Sequence, residues 1–225
     1  MNQLIIPTIK TFLLGVVILG ILLFLPAWTL NYWQAWVFIM VFVTSTNIIG
    51  IYLSLKDPEL LERRKNFGPA AEKSMSQKII ISLVAIGFLG LMVFSALDHR
   101  FGWSLVPPFV SLAGDVLVAT GLLIDLVVLK ENSYGASNIQ TFKDQKVIST
   151  GLYAIVRHPM YTGVLVMAVG TPLALGSYWG LMFLAFTVPV LILRILDEEK
   201  TLKEELPGYQ EYLQKVRYRL IPHLW

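Results

Sequence analysis

The chain has 225 residues, 56% of them hydrophobic and 15% charged, with a mean hydropathy of +0.66, a balance outside that of soluble domains. It contains no cysteine, which excludes disulfides, thiolate metal sites and a cysteine nucleophile, and its three histidines (His99, His158, His223) show no metal-ligand spacing, so no metal is expected. The net charge of +3 reflects membrane topology and anionic headgroups rather than a nucleic-acid partner, because the basic residues alternate between apolar runs.

Crossing a hydrocarbon core of about 30 Å takes roughly 20 helical residues. Runs of that length lie at residues 11–30, 34–55, 79–97 and 105–129, and two shorter ones follow at 161–175 and 178–195. Turn chemistry around "GSYWG" predicts that the last two form a tight helical hairpin whose first arm barely reaches across. The expected fold is an all-α integral membrane protein of six transmembrane helices. Alternation from a cytoplasmic N-terminus puts 17 of the 18 Lys and Arg residues inside and Arg100 alone outside, as expected of a multi-pass protein with both termini cytoplasmic. The first run lacks a small-residue cleavage site and reads as a retained span. No GxGxxG or GxxxxGK[ST] sequence is present, nor an internal repeat.

The connections on the expected exoplasmic side are minimal, so any chemistry belongs to the long cytoplasmic ones. The first, "KDPELLERRKNFGPAAEKSMSQK", opens with Asp57 as an N-cap and Pro58 at the first helical position. It predicts a helix either lying at the headgroup surface or gating a site. The second, residues 130–157, has no apolar period, and a loop so long in a compact protein points to function. The part from Asp197 onward predicts a cytoplasmic helix, a break at Pro207 and Gly208, and a tail folding back on the membrane face.

Within "GLYAIVRHPMYTG", residues 151–163, Arg157 and His158 fall at the membrane boundary and Pro159 at a helix start, where its missing donor does no harm. The motif reads alone as a snorkelling arginine beside belt tyrosines. Across the hairpin, however, Arg194 and Glu198 share one helix face, either as a surface ion pair or as a fixed cation and anion aimed at the pocket of His158 and Tyr161. Asn47, Asp115 and Asp125 lie within spans, where polar groups are either glue between helices or part of a cavity.

Together, "GLYAIVRHPMYTG", the short hairpin and "RILDEEKTLKEELPGYQEYLQKVRYRLIP" resemble the isoprenylcysteine carboxyl methyltransferase family, bacterial-type, with its phospholipid-methyltransferase relatives. The resemblance covers the last 95 residues or so, from "KENSYGASN". It implies a cytoplasmic pocket for S-adenosylmethionine (SAM), a multi-pass protein of a bacterial cytoplasmic membrane, and a lipophilic acceptor methylated on a carboxylate or a lipid amine. The cofactor contacts it implies are Asn138, Gln145, Lys146, Val147 and Ile148 in the loop, Tyr153, His158, Pro159, Met160 and Tyr161 in the motif, then Glu198, with Glu199 as the alternative to it. Arg194 falls where relatives place an arginine facing the acceptor, and Arg194, Glu198 and His158 become the catalytic candidates. Residues 1–129 then form an acceptor-facing unit and 130–225 the catalytic region. The tail lacks the Val-Pro-Arg of many relatives, and its "YRLIP" is similar to the ending of membrane sterol reductases, which makes an NADPH-dependent reductase the enzymatic rival. A scaffold or transporter is the third reading; it would carry polar groups toward the midplane.

Overall fold

A computed structural model describes residues 2–225, with side chains from residue 6 onward. Within this range eight α-helices follow in order: α1 (Asn2–Ala27), α2 (Trp33–Lys56), α3 (Pro58–Lys65), α4 (Met75–Phe101), α5 (Pro108–Glu131), α6 (Pro159–Ala174), α7 (Leu184–Glu205) and α8 (Tyr209–Lys215). The described residues form no β-strand beyond an isolated parallel bridge between Val156 and Tyr218. Among the described residues, five helices (α1, α2, α4, α5 and α7) are long and apolar enough to cross a bilayer. Helix α6 has 16 residues, which at about 1.5 Å each extend roughly 24 Å. Leu13, Leu14, Val17, Ile18, Ile21 and Leu25 of α1 point outward, the pattern of a helix against lipid.

Helix ends follow the local chemistry. The Asp57 carboxylate accepts from Leu60 N at 3.0 Å to start α3, Ser74 accepts from Gln77 N at 3.2 Å to start α4, and Gly102, in the left-handed region, ends α4. Helices α5 and α6 both begin on a proline, whose lost donor has no partner at that position.

Helix α1 packs on α2 and α4, α2 on α5, α5 on α6, and α4 on α7. The main core, including Leu23, Phe38, Ile39, Leu91, Met92 and Val118, fills the centre. The hairpin differs from the expected one in a consequential way. Its turn at residues 175–178 is tight, but the two arms diverge: α6 lies along α5, and α7 along α4. Glycines explain the first pairing. A Cβ at Gly114 would stand 2.2 Å from Ala174 N, one at Gly121 2.5 Å from Gly163 O, and one at Gly170 2.7 Å from Leu117 Cβ. Only small residues let two backbones approach so closely, which is how membrane helices gain dispersion contacts without hydrophobic drive. Divergence of α6 from α7 opens a wedge at the end of the molecule carrying the long loops.

The opposite, short-turn end is locked by Asp98. Its buried carboxylate accepts from Ser104 N at 2.7 Å, Ser104 Oγ at 2.6 Å and Ser177 Oγ at 2.5 Å, joining α4, the α4–α5 turn and the hairpin turn. Asn47 ties α2 to α1 by accepting from Thr11 Oγ1 at 3.0 Å, while both buried Asp115 carboxylate oxygens lack a hydrogen-bond partner. Helix α7 passes without a break from the apolar span through the acidic stretch, so Arg194 and Glu198 sit on one rigid rod.

Candidate active site

The motif before α6 has no long element of its own, and four neighbours hold it. Gly151 has φ +50°, in the left-handed region that favours glycine, and a Cβ there would fall 1.5 Å from Glu131 Oε1 and displace that carboxylate. Glu131 accepts from Leu152 N at 3.2 Å, and Asn132 Nδ2 donates to the Tyr153 hydroxyl at 2.8 Å. From α8, Tyr212 OH donates to Tyr153 O at 2.7 Å. The tail supplies acceptors for Arg157 N and His158 N, at Tyr218 O and Arg219 O, both 2.9 Å, and Thr162 Oγ1 donates to Leu220 O at 2.9 Å. The tail therefore folds back onto the α6 entrance and is joined to it largely through backbone hydrogen bonds.

Below this entrance a cavity of about 310 Å³ occupies the wedge. The structure brings Asn138, Gln145, Lys146, Val147, Ile148, Tyr153, His158, Pro159, Met160, Tyr161, Arg194 and Glu198 into its wall. Gln145 also closes its own loop, its Oε1 accepting from Phe142 N at 2.9 Å, and Val147 packs against the Leu206, Tyr209 and Tyr212 cluster. Tyr161 OH donates to Glu198 Oε2 at 2.6 Å across the mouth of the hairpin.

Glu199, the alternative to Glu198, lies outside this wall. It is 2% exposed and meets Arg157 Nε at 2.9 Å, Arg219 Nη2 at 3.1 Å and His158 Nε2 at 3.4 Å. One helical step thus separates two tasks: Glu198 faces the cavity, and Glu199 fastens the tail and the α6 entrance to α7. Arg194 does not pair with Glu198. Its Nη2 donates to Glu72 Oε1 at 2.6 Å, and its Nη1 is buried without a hydrogen-bond partner.

The cavity has two chemical ends. Loop residues, Tyr153 and Glu198 make one polar; Ile81 and Val84 of α4, Val164 of α6 and Leu191 of α7 make the other apolar, at the level of the bundle. Beyond Val84, α4 packs closely on α7: a Cβ at Gly87 would stand 3.1 Å from Thr187 Oγ1 and 3.3 Å from the Phe186 ring. Burial pushes the Tyr153 phenol up to about 12 and raises those of Tyr209 and Tyr212 as well, so all three are neutral hydrogen-bonding groups at ordinary pH.

A family model described as phospholipid methyltransferase matches residues 109–207, the stretch running from α5 through Glu198 and Glu199. A probable protein-S-isoprenylcysteine O-methyltransferase of Oryza sativa is 34% identical over 146 residues, 60% of this chain and 75% of the relative. The chain belongs to the isoprenylcysteine carboxyl methyltransferase family. It is a methyltransferase, and a Schizosaccharomyces pombe protein-S-isoprenylcysteine O-methyltransferase is 36% identical to it over 76 residues, 33% of this chain and 32% of that protein. A Delta(14)-sterol reductase of Mus musculus is 32% identical over 94 residues, 40% of this chain; the chain spans only 22% of that protein's length.

Several wall residues of this methyltransferase escape a reading of the sequence. Tyr209 and Tyr212 follow the Pro207 break three apart, a helical aromatic pair that its spacing could have revealed. Ile81 and Val84 have the same spacing but are indistinguishable from lipid-facing residues in an all-apolar span. Arg64, in a run whose composition suits a headgroup contact, donates Nη1 to Gly135 O at 2.9 Å. Helix α3 is therefore docked on the site, with Leu60 fully buried against Leu53 and Leu129.

Proposed function

We propose that the protein transfers a methyl group from SAM, bound at the polar end of the cavity from the cytoplasmic side, to a carboxylate on a lipophilic acceptor entering the apolar end from the bilayer. The observation that carries this reading is the wedge-shaped cavity itself, with polar loop groups at one end and bundle-level aliphatic side chains at the other. Residues fit the donor: Asn138 Oδ1 and Tyr209 OH are buried polar atoms of the wall without partners, and a ligand is what would satisfy them. Bound SAM supplies an electrophilic methyl on a sulfonium, so no protein nucleophile is needed.

The chain's own residues then have limited tasks. Glu198 takes an ammonium, Lys146 and main-chain donors take a carboxylate, and Tyr153, Met160 and Tyr161 pack a purine and a sulfonium edge. His158, anchored on Glu199, starts α6 and shapes the floor between them. An acceptor carboxylate is already ionised, so Arg194 needs only to aim it, and orientation supplies most of the acceleration. Residues 130–225 hold the donor, and the first four spans contribute the acceptor wall through α4.

Methyl-tritiated SAM, the purified protein in lipid nanodiscs and two acceptors, N-acetyl-S-farnesylcysteine and phosphatidylethanolamine, test the proposal. A carboxyl ester releases labelled methanol in base and a methylated amine does not. Base-labile label on the farnesylcysteine is expected; base-stable label on the phospholipid alone would move the assignment to amine methylation.

A further inference from the structure

Among residues 66–74, the segment linking α3 to α4, Glu72 is the only buried one. A carboxylate in an otherwise exposed stretch gives up hydration, and here both of its oxygens are used. Oε1 accepts from Arg194 Nη2 at 2.6 Å, and Oε2 accepts from Ile139 N at 3.3 Å. Next to it, Ala71 O accepts from Asn138 Nδ2 at 2.9 Å. One side chain thus joins α7 to the loop that lines the polar end of the cavity.

The pair is dry: the Arg194 and Glu72 side chains are 4% and 0% exposed. Buried pairs of this kind add little net stability, since desolvation offsets the attraction, but they fix geometry. A guanidinium held along one edge has few rotamers left, and its Nη1, buried in the cavity wall without a partner, is the edge that remains.

We infer that Glu72 is a positioning residue for the transfer: it holds Arg194 by Nη2 so that Nη1 is aimed at the acceptor, and it does so from outside the region that binds the donor. This rests on the reading in which Arg194 meets the acceptor oxygen. It also gives the first cytoplasmic segment a task besides its contact with the membrane surface.

The test is a double-mutant cycle in the full chain with Glu72→Gln, Arg194→Gln and both together. In Glu72→Gln one amide oxygen is left for two donors, Ile139 N and Arg194 Nη2, and the guanidinium loses its charged partner in either amide orientation; S-adenosylhomocysteine affinity by calorimetry should stay near that of the wild type. Acceptor kcat/KM, read with N-acetyl-S-farnesylcysteine, should fall on the order of 100-fold, as misaimed reactants do. The double variant should be no worse than Arg194→Gln alone, because Glu72 acts only through that arginine. A merely structural Glu72 would instead lower cofactor affinity together with turnover, and the two single losses would multiply; either result, or normal acceptor kinetics in Glu72→Gln, overturns the inference. If Glu72→Gln fails to fold, the uncharged double variant compared with Arg194→Gln carries the kinetic test. If the wild type binds S-adenosylhomocysteine but methylates no probe, the acceptor reading fails separately, and thermal unfolding decides the pairing: the double variant should melt above both single variants, and additive losses would reject it.

Discussion

Replacing Glu199 by Gln removes the anion that Arg157, His158 and Arg219 share. Arg157 has a side chain 8% exposed and no solvent to turn to, whereas Arg219, at 27%, can partly rehydrate. Breaking a buried pair by deleting one partner costs about 3–5 kcal/mol, and the escape open to Arg219 puts this case near 3 kcal/mol. For a domain of this size each kcal/mol lowers the unfolding temperature by roughly 2–4 °C, so a fall of roughly 6–12 °C is expected. Glu198→Gln is the matched control. Gln can still accept from the Tyr161 hydroxyl, so its stability change should stay below about 1 kcal/mol, while loss of a charged hydrogen bond worth about 1.5–3 kcal/mol should weaken S-adenosylhomocysteine binding by roughly 10-fold or more. Thermal unfolding in detergent and calorimetric titration of the two variants separate the roles. An unchanged melting point with lost ligand affinity in Glu199→Gln, and the reverse in Glu198→Gln, would refute this division of labour.

Three other outcomes are expected. Gly114→Ala, whose Cβ would stand 2.2 Å from Ala174 N, should destabilise the α5–α6 contact by at least the ~1–3 kcal/mol of ordinary overpacking, seen as a lower melting temperature; a neutral result would mean that the helices can slide apart freely. Val84→Trp should fill the apolar end and raise the KM for the farnesylated acceptor without changing S-adenosylhomocysteine affinity, and an equal loss of both would place the donor there instead. Because burial holds the Tyr153 phenol at about 12, the folded chain keeps a proton that the unfolded chain releases near pH 10; stability should be full below that pH and decline as pH rises toward 12, with Tyr209 and Tyr212 acting in the same direction. Tyrosinate absorbance followed during alkaline titration checks this, and ionisation of all nine tyrosines near pH 10 without loss of structure would contradict it.

The spans were legible because twenty apolar residues have few alternatives to a membrane helix, and the glycine, proline and aspartate at the helix ends act through local backbone geometry. Side chains gathered by the RHPMY motif and α7 were legible because both lie in short, polar breaks of an apolar pattern. Three features were not. The splay of α6 from α7 depends on Gly114, Gly121, Gly163 and Gly170 meeting across two helices, and single glycines in apolar runs carry no sign of their partners. Glu198 and Glu199 are adjacent, and which one faces the cavity is set by the rotation of α7, which turns Glu199 toward Arg219 of the tail. Glu72 lies 122 residues from its partner in a segment whose composition suits a headgroup surface, and nothing local distinguishes a buried carboxylate from a solvated one.

The central claim is that the wedge between α6 and α7 is a methyl-donor site. Calorimetric titration of the purified protein with S-adenosylhomocysteine and, separately, with NADPH tests it most directly, since the chain also shares a stretch with a sterol reductase. Binding of S-adenosylhomocysteine, weakened by Glu198→Gln, and no binding of NADPH is the predicted result. Binding of NADPH without S-adenosylhomocysteine would contradict it.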